Sequence, residues 1–374
     1  MSCSTRCLNC GRGWEDPLRW SCDCGGAFEA KMESAFVKPE GNGTIFQRYS
    51  REFPYIQPTQ LVSLGETMTP LVSSGDVRFK LEYLLPTGSF KDRGSCALIS
   101  ALWPLLKLRR IQGIKEDSSG NAGASLAAYC AKAGLGCDVF VPKGVSGPKA
   151  AQMMAYGARL HEIPGTRREV EEAAKSIRFS GAYLGHVWHP YFRDGIRTIA
   201  YEIAEQSRWE LPRAVFVPVS AGTLLLGIIS GFQHLLESGI GGEMPLVVAC
   251  QTVAVSPLYH ALRGSTYSPP DALDTVADAL VSVAPPLLER MVLKVKEVRG
   301  MAEAASERET LLAWKELARM GYYVEPSSAV AYACMKKLRE RTGEDMKDAV
   351  VVLTGSGLKV RSDLAGRYFG QELR

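Results

Sequence analysis

Residues 86–94 read PTGSFKDRG, and Lys91 stands in them between a turn and the start of a helix, among glycines and small hydroxyls. The run VRFKLEYLL before it reads as a buried strand ending at Pro86, and the apolar GSCALISALWPLLKL after it reads as a core-packed helix. Gly88 permits an unusual turn or a close approach to a ligand. A cation in the first turn of a helix opposes the helix dipole. An ammonium kept in an unfavourable place invites a chemical explanation, and a Schiff-base lysine is one of the few that fits. A second reactive group lies near the N-terminus, where Cys7 and Cys10 in CLNC and Cys22 and Cys24 in CDC are separated by eleven residues. Two close thiolate pairs on glycine-containing turns match a tetrahedral zinc ribbon, which holds so small a segment together without a core. The single residue between Cys22 and Cys24 is one fewer than usual, Cys3 is an alternative ligand, and a ribbon without metal also fits the pattern. Cys96, Cys130, Cys137, Cys250 and Cys334 fall in apolar runs, where a buried thiol behaves as a small hydrophobe.

Three further loops carry groups that match a lysine of this kind. SSGNAGAS at 118–125 follows a strand and opens a helix, with Asn121 offering an amide that donates and accepts. VPVSAGTLLLG at 217–227 leads through Ser220, Ala221, Gly222, Thr223 and Leu224 into a helix, where free N–H groups and the positive end of the dipole suit an anion. LTGSGLK at 353–359 ends the last strand with Thr354, two glycines and a lysine. A reactive lysine, an amide, an anion cradle and a hydroxyl match pyridoxal phosphate group for group: aldehyde, ring hydroxyl, phosphate and ring nitrogen.

The elements that must position these loops alternate. From about residue 77 onward apolar strand runs (RRIQGIKE, CDVFVPK, ARLHEIP, AVFVPV, PLVVACQ, DAVVVLT) alternate with helical stretches, which implies parallel sheets covered on both faces and an α/β class. Ligands of such sheets bind beyond the carboxyl ends of the strands, where all four loops fall. Residues 35–65 hold Pro39, Gly41, Gly43, Pro54 and Pro58 with little periodicity and read as an ordered arm. At 374 residues and 46% hydrophobic content, two ordinary domains fit. The net charge of +4 is spread evenly, so nucleic acid is not an expected partner. The longest apolar runs are strand-sized, so no membrane role is expected, and the N-terminus shows no secretion signal; a cytoplasmic enzyme is the expectation.

PTGSFKDRG, SSGNAGASLAAY, VPVSAGT, VEPSSA and LTGSGLK, in this order, resemble the threonine synthase branch of the tryptophan-synthase-β-like, fold type II pyridoxal phosphate enzymes, a branch in which an N-terminal cysteine ribbon is also common. The resemblance covers nearly the whole chain. It implies two doubly wound α/β domains behind a zinc-ribbon-like segment: 1–34 for the ribbon, 35–84 plus 185–374 for a large cofactor domain, and 85–184 for a small mobile domain that closes over a small amino-acid substrate. It implies Lys91 as the Schiff-base lysine and the base at the substrate Cα. It puts Asn121 on the ring hydroxyl, Ser220 to Leu224 on the cofactor phosphate, and Thr354 on the pyridine nitrogen. A neutral hydroxyl there leaves the ring a weaker electron sink than a carboxylate would, which favours expulsion of a leaving group. A homodimer is common among such relatives.

The implied reaction is O-phosphohomoserine plus water to threonine plus phosphate. Alternatives are cysteate formation from phosphoserine and sulfite, or a threonine or serine dehydratase-like β-elimination. Ser118, Ser119, Arg193 and Thr275 are the expected substrate-side residues, with Arg197 and Lys359 as further cations. The substrate side departs from the family. Ser220 and Ala221 replace a common glycine and asparagine, and Phe192 stands where relatives tend to carry an arginine, with Arg193 one place late. Arginine is the bidentate partner of phosphate, so its displacement bears on the phosphorylated substrate. His186 and His189 read as ordinary loop residues rather than metal ligands.

Overall fold

The computed structural model describes residues 3–145, 147–177, 181–271, 273 and 275–369; the ends of the sequence-read ribbon and large-domain ranges, 1–2 and 370–374, lie outside them. In chain order the strands are β1 (Cys3–Cys7), β2 (Phe28–Met32), β3 (Leu71–Ser74), β4 (Val77–Leu81), β5 (Gly113–Glu116) and β6 (Gly136–Pro142). They continue with β7 (Arg159–Ile163), β8 (Gly181–Tyr183), β9 (Ala214–Pro218), β10 (Leu246–Thr252), β11 (Met301–Ala305) and β12 (Ala349–Leu353). Contacts divide the chain into two compact units: residues up to Met68 with Leu85–Thr198, and Thr69–Leu84 with the residues from Ile199 onward. The family resemblance implies a boundary between residues 84 and 85. It assigns 35–68 and 185–198 to the large domain, whereas the contact division puts them with the first unit. There Val62 N donates to Ser100 Oγ at 2.9 Å, and the helix Pro190–Ile196 packs along the helix Lys91–Leu108.

The first unit is built on a four-stranded, wholly parallel sheet in the order β7-β6-β5-β8. The helix Asn121–Ala133 returns from β5 to β6 and packs on both, ending where Gly134 turns left-handed. At the N-terminus β1 and β2 form a separate antiparallel ribbon, Cys3 opposite Met32 and Cys7 opposite Phe28. Its Trp14 ring lies edge-on to His189 and Tyr191, both ring centroids 5.2 Å away, and so fastens the ribbon to the Pro190–Ile196 helix.

The second unit holds a six-stranded sheet in the order β11-β10-β9-β12-β4-β3, parallel except for the β3 edge, which runs against β4. Phe79, Phe216, Val248, Trp314 and Val351 lie in its core, and the helix Pro326–Thr342 packs on β9 to β12. Sequence reading finds β9, β10 and β12 but not β11. Its Met-Ala-Glu-Ala-Ala composition favours helix, and the parallel ladder to β10 overrides that local preference. The strand read into VRFKLEYLL ends at Leu81 rather than at Pro86. Glu82–Leu84 form a 3-10 turn, tied down by Thr69 Oγ1 donating to Glu82 at 2.7 Å.

Lys80, on β4, is wholly buried and pairs with equally buried Glu202 at 2.6 Å, while also donating to Thr69 O at 2.7 Å and Gln206 Oε1 at 2.9 Å. Removing one member strands the other charge in the core, so Lys80→Met is expected to cost about 3–5 kcal/mol. Denaturant unfolding checks this; a loss under about 1 kcal/mol would contradict it. Among the described residues no helix is long and apolar enough to cross a membrane.

Candidate active site

Lys91 is the first residue of the helix Lys91–Leu108 and is half-buried. Gly88, three residues earlier, takes φ +80°, a conformation costly for any residue with a Cβ. The next residue answers the dipole problem that Lys91 raises. Asp92 is a carboxylate in the same first turn, and it accepts from Thr87 N at 2.7 Å, Thr87 Oγ1 at 2.5 Å and Ser125 Oγ at 2.6 Å. One buried side chain thus fixes the turn before the lysine to the helix that Asn121 opens. The Lys91 ammonium sits 4.4 Å from the Phe90 ring centroid and 6.0 Å from that of Phe192. Two residues before the lysine, Ser89 Oγ is buried with no hydrogen-bond partner among the described residues. Buried hydroxyls are rarely left so, and a ligand group beside Lys91 would satisfy it.

Asn121 is buried at the first position of its helix, and Ser118 and Ser119 are half-buried just ahead of it, Ser118 Oγ accepting from Gly120 N at 3.3 Å. Phe192 is wholly buried over Gly94, where an added Cβ would fall 2.6 Å from its ring. Arg193 is also buried, and its guanidinium donates to Val187 O at 2.5 Å, to Trp188 O at 3.2 Å and to Phe28 O of the ribbon. Arg197 donates to Glu52 O, pairs with Asp194 at 3.2 Å and lies over Phe53. Sequence reading takes both arginines as anion contacts; the geometry uses them to fasten the ribbon and the 35–65 arm.

In the second unit, the helix Thr223–Glu237 starts after Gly222, which takes φ +97° and has no room for a side chain, since a Cβ would lie 2.5 Å from Met291 Sδ. Ser220 and Ala221 are half-buried, and Thr223 and Leu224 are buried. The result is an N-terminus with free N–H groups of the kind that receives phosphate. Thr354, at the end of β12, has a partner that sequence reading leaves without a role. Ser328 Oγ accepts from Thr354 N at 2.9 Å and Gly355 N at 3.1 Å, and lies 2.9 Å from Thr354 Oγ1. Ser328 Oγ also lies 3.5 Å from Gly355 O, so it can give its hydrogen to Thr354 or to that carbonyl, and either way Ser328 fixes Thr354 at the end of β12. VEPSSA carries Ser328, so its motif was the available signal. Thr275, expected on the substrate side, donates to Glu307 at 3.0 Å and accepts from Ala277 N at 3.2 Å.

The sulfurs of Cys7, Cys10, Cys22 and Cys24 all lie within 4.8 Å of one another, the Cys7–Cys24 pair at 3.4 Å and the Cys10–Cys22 pair at 3.6 Å. A zinc ion with bonds of about 2.3 Å to four sulfurs would set them about 3.8 Å apart, so the donor set fits. Cys3 stays outside this cluster, its thiol pushed up to about 12 chiefly by burial.

The first unit carries a first-turn lysine and an amide at helix starts, and the second carries a glycine-led helix start and a hydroxyl at a strand end, groups of the kinds that pyridoxal phosphate enzymes carry. The chain belongs to that family: the model described as pyridoxal-phosphate dependent enzyme matches residues 53–355. Within it the chain is threonine synthase-like. It is 31% identical to a threonine synthase of Methanocaldococcus jannaschii, over 95% of this chain and 92% of that protein. Identity to the threonine synthase of Methanosarcina acetivorans is 28%, over 95% and 91%. Among solved structures, an L-serine ammonia-lyase from Rhizomucor miehei shares the fold, with TM-score 0.69 and 22% identity over 82% of this chain and 98% of that one. Serine racemase from Dictyostelium discoideum gives TM-score 0.66 and 25% identity over 83% and 96%.

Proposed function

We propose that this chain is a pyridoxal phosphate lyase or synthase that works by β- or γ-elimination and replacement on a small amino acid. The observation that carries this reading is Lys91, placed at a helix start by Gly88 and Asp92, with the Ser89 hydroxyl two residues before it buried and without a hydrogen-bond partner among the described residues. Bound pyridoxal phosphate would supply the electron sink for charge developing at the substrate Cα. Lys91 would hold the cofactor and move the Cα proton. Asn121 would face the ring hydroxyl, Ser220 to Leu224 the phosphate, and Thr354, held by Ser328, the ring nitrogen. Cys7, Cys10, Cys22 and Cys24 would hold a structural zinc. A homodimer is the assembly that the family resemblance implies.

For the substrate, likeness to threonine synthases supports O-phosphohomoserine and water as reactants. One observation favours the second reading, a relative acting on another amino acid: Phe192 is packed into the core where an arginine would be needed, and buried Arg193 donates to three carbonyls. A lost charge-assisted contact costs roughly 1.5–3 kcal/mol, about one to two powers of ten in binding. The purified protein, given O-phosphohomoserine, phosphoserine with sulfite, threonine and serine in turn, is therefore expected to release less phosphate from the first than it forms product from one of the others. Efficient phosphate release from O-phosphohomoserine would restore the threonine synthase reading.

A further inference from the structure

The helix Pro148–Ala155 follows β6 and meets both stretches of the first unit that carry cofactor-side groups. It starts behind Gly147, at φ +97°, with Pro148 in its first turn. Ala150 and Met153 form its buried face. Met153 packs against Gly123 of the helix Asn121–Ala133, where an added Cβ would fall 2.9 Å from Met153 Sδ and 2.0 Å from Ser118 O. Only a residue without a side chain lets Met153 and the Ser118 backbone close on the same spot.

The residue before Met153 reaches the other stretch. Half-buried Gln152 donates through Nε2 to Thr87 O at 3.0 Å and to Tyr156 Oη at 3.2 Å. A carbonyl only accepts, so the NH2 end of the amide must face Thr87, and Tyr156 at the end of the same helix takes the second hydrogen. Thr87 itself is buried. Its N–H and its hydroxyl go to Asp92, and its carbonyl to Gln152. The residue before Gly88 is therefore held from two sides, by the helix that Lys91 opens and by the helix Pro148–Ala155.

We propose that Gln152 is a positioning residue for the turn that carries Lys91, and that through Gln152 and Met153 the helix Pro148–Ala155 clamps this turn and the Ser118–Asn121 loop at a fixed spacing. The role rests on the reading of Lys91 as the cofactor lysine. Lys91 and Asn121 would face one small ring, so the spacing between their two loops matters as much as the conformation of either. Gly88 brings no side chain to stiffen the turn, and the Gln152 amide supplies from outside what the turn lacks.

The test uses two substitutions that keep the size of Gln152. Gln152→Met removes the donor, and Gln152→Glu has the same shape but turns an acceptor toward the Thr87 carbonyl. In the full chain freed of cofactor, hydrogen–deuterium exchange of peptides covering 86–92 should be about 3–10-fold faster in Gln152→Met than in the wild type, the range that one net hydrogen bond supports, and faster again in Gln152→Glu. Peptides from β6 should exchange as in the wild type. Affinity for pyridoxal phosphate, titrated by the absorbance of the bound cofactor, should fall in the same order. A side chain that only packs would be replaced by its isostere Glu without effect, so the order Gln, Met, Glu marks the contact with the carbonyl. Wild-type exchange at 86–92 in both variants would overturn the proposal, as would an equal change throughout the first unit. Borohydride labelling of the cofactor-loaded protein is run alongside. If the label falls on another lysine while exchange at 86–92 still follows that order, the cofactor reading fails and the clamp on the turn stands.

Discussion

Lys91→Ala is expected to lower turnover by about a thousandfold or more, on whichever amino acid proves to be the substrate, while leaving the protein folded. On the proposed reading the loss would be large because the amine has two uses, holding the cofactor and carrying the Cα proton. Lys80 is wholly enclosed by Glu202, Thr69 and Gln206, and Lys359 sits in a short 3-10 turn after β12. The fold should survive because Asp92, not Lys91, ties the turn to its two helices, and removing a cation from a helix start relieves about 0.3–1 kcal/mol of dipole repulsion. Melting should accordingly be unchanged or slightly later. Borohydride treatment followed by peptide mass should place the reduced cofactor on Lys91 in the wild type. A label on Lys80 or Lys359 would overturn the assignment.

Metal analysis of the wild type should find one zinc per protomer, and the Cys10→Ser, Cys22→Ser double variant should hold none. Structural zinc in such small modules contributes about 10–16 kcal/mol of apparent binding free energy, and the β1–β2 ribbon has little else to hold it. Its buried apolar cluster is Cys7, Cys22 and Phe28, with Trp14 packed against it. The consequences should extend past the ribbon. Phe28 O is a hydrogen-bond acceptor for Arg193, and Pro17 O is 3.1 Å from His189 Nε2, so the helix that carries Phe192 over Gly94 leans on this module. The variant should show altered Trp14 and Trp20 fluorescence and earlier protease cleavage before residue 35. A wild type without zinc would end the ribbon reading.

Much of this protein is written in short stretches of its sequence. Gly88 and Gly222 at positive φ, and the helices that begin at Lys91, Asn121 and Thr223, follow from interactions spanning a few residues, so each is readable from a motif alone. The parallel strand and helix alternation is legible for the same reason, because the apolar period of each segment is local. Where neighbours outvoted local preference, as in the alanine-rich β11, the sequence misleads. The substrate-side arginines show the limit most clearly. Their spacing in HPYFRDGIRT suggests anion contacts, but the carbonyls that take up Arg193 include one 165 residues away. Ser328 reaches Thr354 across 26 residues, and His186 reaches Glu116 across 70. Each of these polar groups leaves water and must find its partner inside the fold. Which partner it finds depends on how distant segments pack, and one-dimensional spacing does not carry that information.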